Sequence, residues 1–145
     1  MRLFDAFAIV AFLADEPAAA EVAELLDDRS EQNAISAINL AEVFDDLVRV
    51  RGRNGRVASE AVLLIRLAGL DVLLVDDVIA ENAGALRSRY YDRSTAALSM
   101  ADCIALATAT AEEATLVTGD PALARAARAE AVTLVALPNR RGTRP

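Results

Sequence analysis

LSMADCIALATATAEEATLVTGDPAL, residues 98–123, carries a helix, a strand and two acids in one run. The apolar spacing predicts a long helix from about Ser99 to Ala111 and a buried strand over TLVT, 115–118. Asp120 then follows the strand, and Pro121 begins another helix. Asp102 is the most informative residue of the stretch, because Leu98, Ala105 and Leu106 lie one turn away from it on the helix. A carboxylate among such neighbours is partly buried. Burying it unpaired is costly, so it requires a cation, a proton or dense hydrogen bonding. No Arg or Lys lies within one turn of it. An ion pair with a distant helix is the structural alternative to a metal ion, and the metal ion is favoured. Asp120, at the end of a strand and just before a proline, also reads as a helix N-cap.

Working outward, the same alternation recurs. Leu3 and Phe4 lead into Asp5, and AFAIVAFLA follows, which reads as a short strand ending at an acid that caps a helix. Pro17 marks a break, and a second helix is expected over Ala18 to Leu26. A short apolar segment at Ala34 and Ile35 precedes a strongly periodic helix capped by Ser36, which Gly52 and Asn54-Gly55 end. Further elements are a helix from Arg56 to Ala68 closed by Gly69, a buried strand over VLLV at 72–75, a helix from about Ile79 to Arg89, and a last strand over VTLV at 132–135. Strands alternating with helices imply an α/β fold with a mostly parallel central sheet flanked by helices. No internal repeat or linker interrupts it. The expected organisation is one domain over 1–137, followed by a loose basic tail, PNRRGTRP, at 138–145.

Composition limits the chemistry. With 145 residues, 54% apolar and 26% charged, the chain can bury a core and is not of the disordered class. All 15 basic residues are Arg and there is no His, which excludes a Lys amine, a His general base and a His-ligated zinc site. The net charge of −7 argues against binding nucleic acid through bulk positive charge, although carboxylates gathered around a divalent cation reverse the local field. Cys103 is the only cysteine, so no intramolecular disulfide forms, and its apolar setting reads as a small buried hydrophobe. No secretory signal pattern and no uncharged apolar run of about 18 residues is present. These features lead to the expectation of a cytoplasmic protein without a membrane span.

Two more acids join Asp102 and Asp120. Asp5 is the only acid among the first fourteen residues and ends the first strand, where ligands of open parallel sheets gather. Glu42 stands in INLAEVFDDL, with Asp45 and Asp46 one turn after it. Taken singly, Asp5 is also a helix N-cap and Glu42 a solvated surface acid. Taken together, two acids end strands and two project from helices beside those strand ends. Four converging carboxylates raise one another's pKa unless a cation neutralises them, and hard oxygen donors select Mg²⁺ or Mn²⁺ over zinc. Such an ion lowers the pKa of water and stabilises the charge on a phosphodiester in its transition state, so neither His nor Lys is needed.

LFDAFAIVAFLADEP, INLAEVF, LSMADCIALATA and LVTGDPAL, in this order and spacing, resemble the PIN-domain family, and within it the VapC-type toxins. The resemblance spans nearly the whole chain. It implies a three-layer sandwich and a Mg²⁺-dependent ribonuclease whose acids match Asp5, Glu42, Asp102 and Asp120, the first and third matching best as direct ligands. It also implies a cognate antitoxin and a homodimer. Thr118 resembles the small hydroxyl residue near the fourth acid, where it could orient a carboxylate or water. Pro121, Ala122 and Leu123 depart from the family, which often has an aromatic residue there.

VLLVDDV at 72–78 resembles the acidic strand end of a receiver domain or an NTPase, but both need a Lys that this chain lacks, so Asp76 and Asp77 read as a turn and helix cap. Arg49, Arg51, Arg53 and Arg56, with Arg140, Arg141 and Arg144 of the tail, form two basic patches that could hold RNA phosphates beside the cleft. Tyr90 and Tyr91 are candidates for stacking on a base or for packing at a helix end. The alternative to the enzyme is a non-catalytic PIN-fold module that binds RNA or protein.

Overall fold

The computed structural model describes residues 1–93 and 97–145. Its strands are β1 (Arg2–Phe4), β2 (Asn33–Ser36), β3 (Leu70–Leu73), β4 (Thr115–Thr118) and β5 (Leu134–Ala136). They form one sheet in the order β3-β2-β1-β4-β5, and every neighbouring pair is parallel. The helices are α1 (Ala6–Leu13), α2 (Ala19–Asp27), α3 (Ala37–Asp45), α4 (Gly55–Leu67), α5 (Asp77–Tyr90), α6 (Met100–Ala111) and α7 (Pro121–Ala129). A π-helical turn, Asp46–Val50, extends α3.

Strand side chains alternate between faces, so in-register neighbours share a face. Leu3 stands beside Ala34 and Leu116, and Leu116 beside Leu134. This row packs on Ile79 and Leu86 of α5, Leu106 of α6 and Leu123 of α7. Phe4 stands beside Ile35 and Val117, and Val117 beside Val135, facing Ile9 of α1, Val22 of α2, Val43 of α3 and Ile65 of α4. Two cores on opposite faces of one sheet make the three layers that the family resemblance implied.

Side-chain caps start most of the helices. Asp5, Ser36, Asn54, Asp76, Ser99 and Asp120 each accept a hydrogen bond from a backbone N–H in the first turn. Asp76 is thus the cap that the sequence suggested.

Two strands are displaced from their expected positions. β3 spans Leu70–Leu73 rather than 72–75, because Gly69, at φ +102°, ends α4 and turns the chain directly into register with Asn33 at Leu70. Leu74 is left 82% exposed just past the end of the strand. β5 lies at Leu134–Ala136 rather than 132–135, its register set by pairing with Leu116–Thr118. The basic tail is not loose. Leu137 is fully buried and its N–H donates to the Thr118 carbonyl at 2.8 Å, while Arg144 reaches Glu21 at 2.7 Å and the Ala136 carbonyl at 2.6 Å. Among the described residues, no helix is long and apolar enough to cross a membrane.

Candidate active site

The strand order reverses between β1 and β4, the two strands from which the chain winds outward in opposite directions. In open parallel sheets a crevice forms outside the C-terminal ends of such a pair. Asp5 leaves β1 at this point, and Asp120 lies just beyond β4.

Asp5 is 2% exposed. Its Oδ1 accepts the Ala8 N–H at 2.8 Å, and its Oδ2 accepts the hydroxyl of Thr118. The Thr118 hydroxyl in turn accepts the Asp120 N–H at 2.9 Å, and Asp120 Oδ1 accepts the Leu123 N–H at 2.7 Å. Thr118, buried in β4, therefore orients the first acid and fixes the backbone that carries the last.

Asp102 enters from α6 through a capping box. Its N–H donates to Ser99 Oγ at 3.0 Å, and its Oδ2 accepts the Ser99 N–H at 2.6 Å. Glu42 stands on α3 at the solvent-facing rim. Between these helices, the buried Asn39 donates from Nδ2 to the Ala101 carbonyl at 3.2 Å, which sets α3 against α6 beside both acids. Asp5, Glu42, Asp102 and Asp120 all line one cleft of about 510 Å³.

The acids feel one another. Burial raises the pKa of Asp5 from 3.8 to about 8; the Thr118 hydroxyl and the Ala8 N–H oppose the rise, while Asp102 and Asp120 add to it. Burial also raises Asp102, against its hydrogen bonds to Ser99, with Asp120 pushing it up and Arg87 pulling it down. Loss of hydration raises Glu42, and Asp102, Asp45, Asp46 and Asp120 add repulsion. Among the described residues, no group of three His, Cys, Asp or Glu side chains is arranged so that it could hold a metal ion unaided. Cys103, fully buried, has its thiol pushed up to about 11, first by burial and then by Asp102, as suits a core residue rather than a nucleophile.

All four acids named from the sequence thus line the same cleft, and Asp102 is partly buried as its neighbours implied. Asp5, not Asp102, is the deeply buried carboxylate, because Asp102 sits in the first turn of its helix where Ser99 and the cleft partly solvate it. Several contributors escaped the sequence reading. Ser99 carries a legible signal, a hydroxyl three residues before an acid at a helix start. Asp46 lines the cleft while Asp45 turns away to Arg49. Phe7 of α1 packs so closely on Gly119 that a Cβ there would meet its ring at 2.2 Å, so the aromatic wall comes from α1 and not from the residues after Asp120. Asn139, which no sequence signal marked, closes one side of the cleft together with Arg140 and Arg141 of the basic patch named from the sequence.

The family model for the PIN domain matches residues 2–129. No curated protein sequence matches this chain. Among solved structures, the chain is similar to a protein of a toxin-antitoxin complex from Klebsiella pneumoniae, at 26% identity and TM-score 0.59, covering 83% of this chain and 87% of that one. It is similar in fold to Mycobacterium tuberculosis VapC20, a toxin that cleaves the sarcin-ricin loop, at 21% identity and TM-score 0.68, covering 87% and 95%. It is likewise similar to a chain of the FitAcB structure from Neisseria gonorrhoeae, at 24% identity and TM-score 0.65, covering 92% and 96%.

Proposed function

Because this chain belongs to the PIN domain family, we propose that its acidic cleft is the active site of a Mg²⁺-dependent ribonuclease, the toxin of a toxin-antitoxin pair. The observation that carries this reading is the convergence of Asp5, Glu42, Asp102 and Asp120 on one cleft at the reversal point of the sheet. An all-oxygen donor set suits Mg²⁺ or Mn²⁺. Mg²⁺ keeps several waters and binds through one or two carboxylates, which is compatible with a cleft where no three acids could hold an ion alone. Asp5 and Asp102 would hold the ion directly, and Glu42 and Asp120 through water. When bound, the ion supplies an acidified water and neutralises charge developing on the phosphodiester.

The protein's own groups prepare that chemistry. Thr118 and the Ala8 N–H fix the Asp5 carboxylate, and Ser99 fixes that of Asp102. Burial raises the pKa of Asp5 to about 8, so binding of a cation there would favour release of its proton. Glu42, which lines the cleft and has its pKa raised, would take the proton that an attacking water releases.

Three of the solved structures similar to this chain are described as a toxin-antitoxin complex, a toxin and FitAcB, and the first of these supports an antitoxin partner here. A basic segment of such a partner would complement the acidic cleft. A cytoplasmic location and a homodimer belong to the same reading; co-purification from the native operon tests the partner, and sedimentation at low concentration tests the dimer. For the enzyme, the expected result is RNA cleavage that needs Mg²⁺ and is lost in Asp5→Asn and Asp102→Asn. Cleavage unchanged in both variants overturns the proposal, and RNA binding without cleavage by the wild type makes the protein a binding module.

A further inference from the structure

A cleft lined by five carboxylates, the four acids and Asp46, repels the substrate assigned to it. Even a bound divalent cation leaves net negative charge there, on a chain whose total is −7. Phosphate binding needs a cation with a free face, and the basic residues near the cleft differ in whether they have one.

Arg51 and Arg140 are already paired with carboxylates. Arg51 donates to Glu16 Oε1 at 2.5 Å and to Asp46 Oδ1 at 2.5 Å, while Arg140 donates from Nε to the same Glu16 oxygen at 3.0 Å and lies 3.8 Å from Asp46 Oδ2. Two arginines and two acids form a closed, neutral ring at the cleft rim. Its effect is mechanical, because it clamps the C-terminal segment onto the end of α1 and the turn after α3. The segment is fixed elsewhere too. Leu137 bonds to the end of β4, Arg144 bonds to Glu21 of α2, and the Asn139 side chain accepts the N–H groups of Arg141 at 2.9 Å and Thr143 at 3.1 Å. The resulting turn, closed by Gly142 at φ +75°, holds Arg141 at the cleft wall.

Arg141 lines the cleft, is exposed, and makes no ion pair among the described residues, whether with the four acids or with any other. We propose that Arg141 is a substrate-positioning residue that grips a backbone phosphate of single-stranded RNA beside the scissile bond. This inference rests on the ribonuclease reading above. A guanidinium suits the task because it meets two phosphate oxygens at once and keeps its charge at every relevant pH. Docking through the C-terminal turn also gives the segment a role in substrate binding, beyond a solvated tail.

The test uses the full chain with Mg²⁺ and a fluorescent pool of single-stranded RNA oligonucleotides of random sequence. Arg141→Ala is expected to raise KM about tenfold while kcat changes far less, with Arg141→Lys recovering part of the loss. In an Asp102→Asn background, anisotropy titrations are expected to show the slope of log Kd against log salt reduced by about 0.7 on adding Arg141→Ala, the value for one lost phosphate contact on a single strand. Arg66→Ala, which removes the same charge from the exposed face of α4 outside the cleft, controls for net charge. An Arg141→Ala variant that matches Arg66→Ala in KM and salt slope overturns the inference, as does tighter RNA binding, which would mean that the turn obstructs the cleft. Absence of both binding and cleavage in the wild type overturns the ribonuclease reading and this inference with it, whereas normal wild-type cleavage with an unaltered Arg141→Ala overturns the inference alone.

Discussion

Asn in place of Asp5 keeps the shape of the side chain and its capping oxygen but removes its charge. In the folded, metal-free protein Asp5 has a pKa of about 8, against 3.8 ordinarily, chiefly because it is buried. A carboxyl whose folded pKa is raised contributes its full stability below the unfolded pKa and loses it as pH rises through the folded one. At about 1.4 kcal/mol per pH unit, wild-type protein in EDTA should lose on the order of 5 kcal/mol through this group between pH 4 and pH 8. Asp5→Asn has no such proton to lose. It retains an oxygen for the Ala8 N–H, and its amide donates to Thr118 once that hydroxyl turns round. Denaturant unfolding in EDTA at pH 5, 7 and 9 should therefore show the variant gaining on the wild type as pH rises, by at least about 2 kcal/mol at pH 9 after allowance for imperfect amide geometry. Saturating Mg²⁺ should stabilise the wild type and not the variant, and the wild type's affinity for Mg²⁺ should rise up to tenfold per pH unit below about 8. A variant destabilised equally at all three pH values would show that Asp5 is only a helix cap, and the reasoning from burial would fail.

Other predictions follow from neighbouring residues. Ser99→Ala removes the cap of α6 and should cost about 1 kcal/mol in denaturant unfolding; it should also lower cleavage by releasing Asp102, and an unchanged kcat would count against the positioning of Asp102 by Ser99. Gly119→Ala drives a Cβ into the Phe7 ring and should cost about 1–3 kcal/mol, with Phe7→Leu relieving much of the loss in the double variant; additive effects would refute the contact. Ser30 and then Arg2 hold Asp28 at about 2, so its contribution is present above 3.8 and is lost as pH falls toward 2. Asp28→Asn should flatten acid unfolding over that window, as followed by circular dichroism. Cys103 should resist iodoacetamide at pH 8 in the native protein and react once unfolded, and rapid native labelling would contradict its burial.

Local signals made most of the fold legible. Apolar periodicity separated helices from strands, and Asp5, Ser36, Asp76 and Asp120 were readable as helix starts because a cap needs only its own first turn. The same economy hid the site. At Asp5 and Asp120 an N-cap and a cleft ligand use one position, so neither residue alone distinguishes them. Strand limits were harder, because β3 and β5 end where their parallel partners end, and VLLV and VTLV contain no mark of that register. Asp45 and Asp46 look alike in sequence, yet the backbone sends one to Arg49 and the other to the cleft. The C-terminal turn was least legible, since Arg140 meets Glu16 and Arg144 meets Glu21 across 124 and 123 residues. Charge alone marks such a segment as a basic patch and says nothing of the acids that fix it.

We propose that the four converging carboxylates serve metal-dependent hydrolysis of RNA. Cleavage of single-stranded RNA by the purified chain, titrated with Mg²⁺ from an EDTA-stripped start and repeated with Asp102→Asn, tests it most directly. The expected result is no cleavage in EDTA, saturable recovery with Mg²⁺, and none at any Mg²⁺ concentration in the variant. Cleavage that persists in EDTA, or that survives in Asp102→Asn, would contradict it.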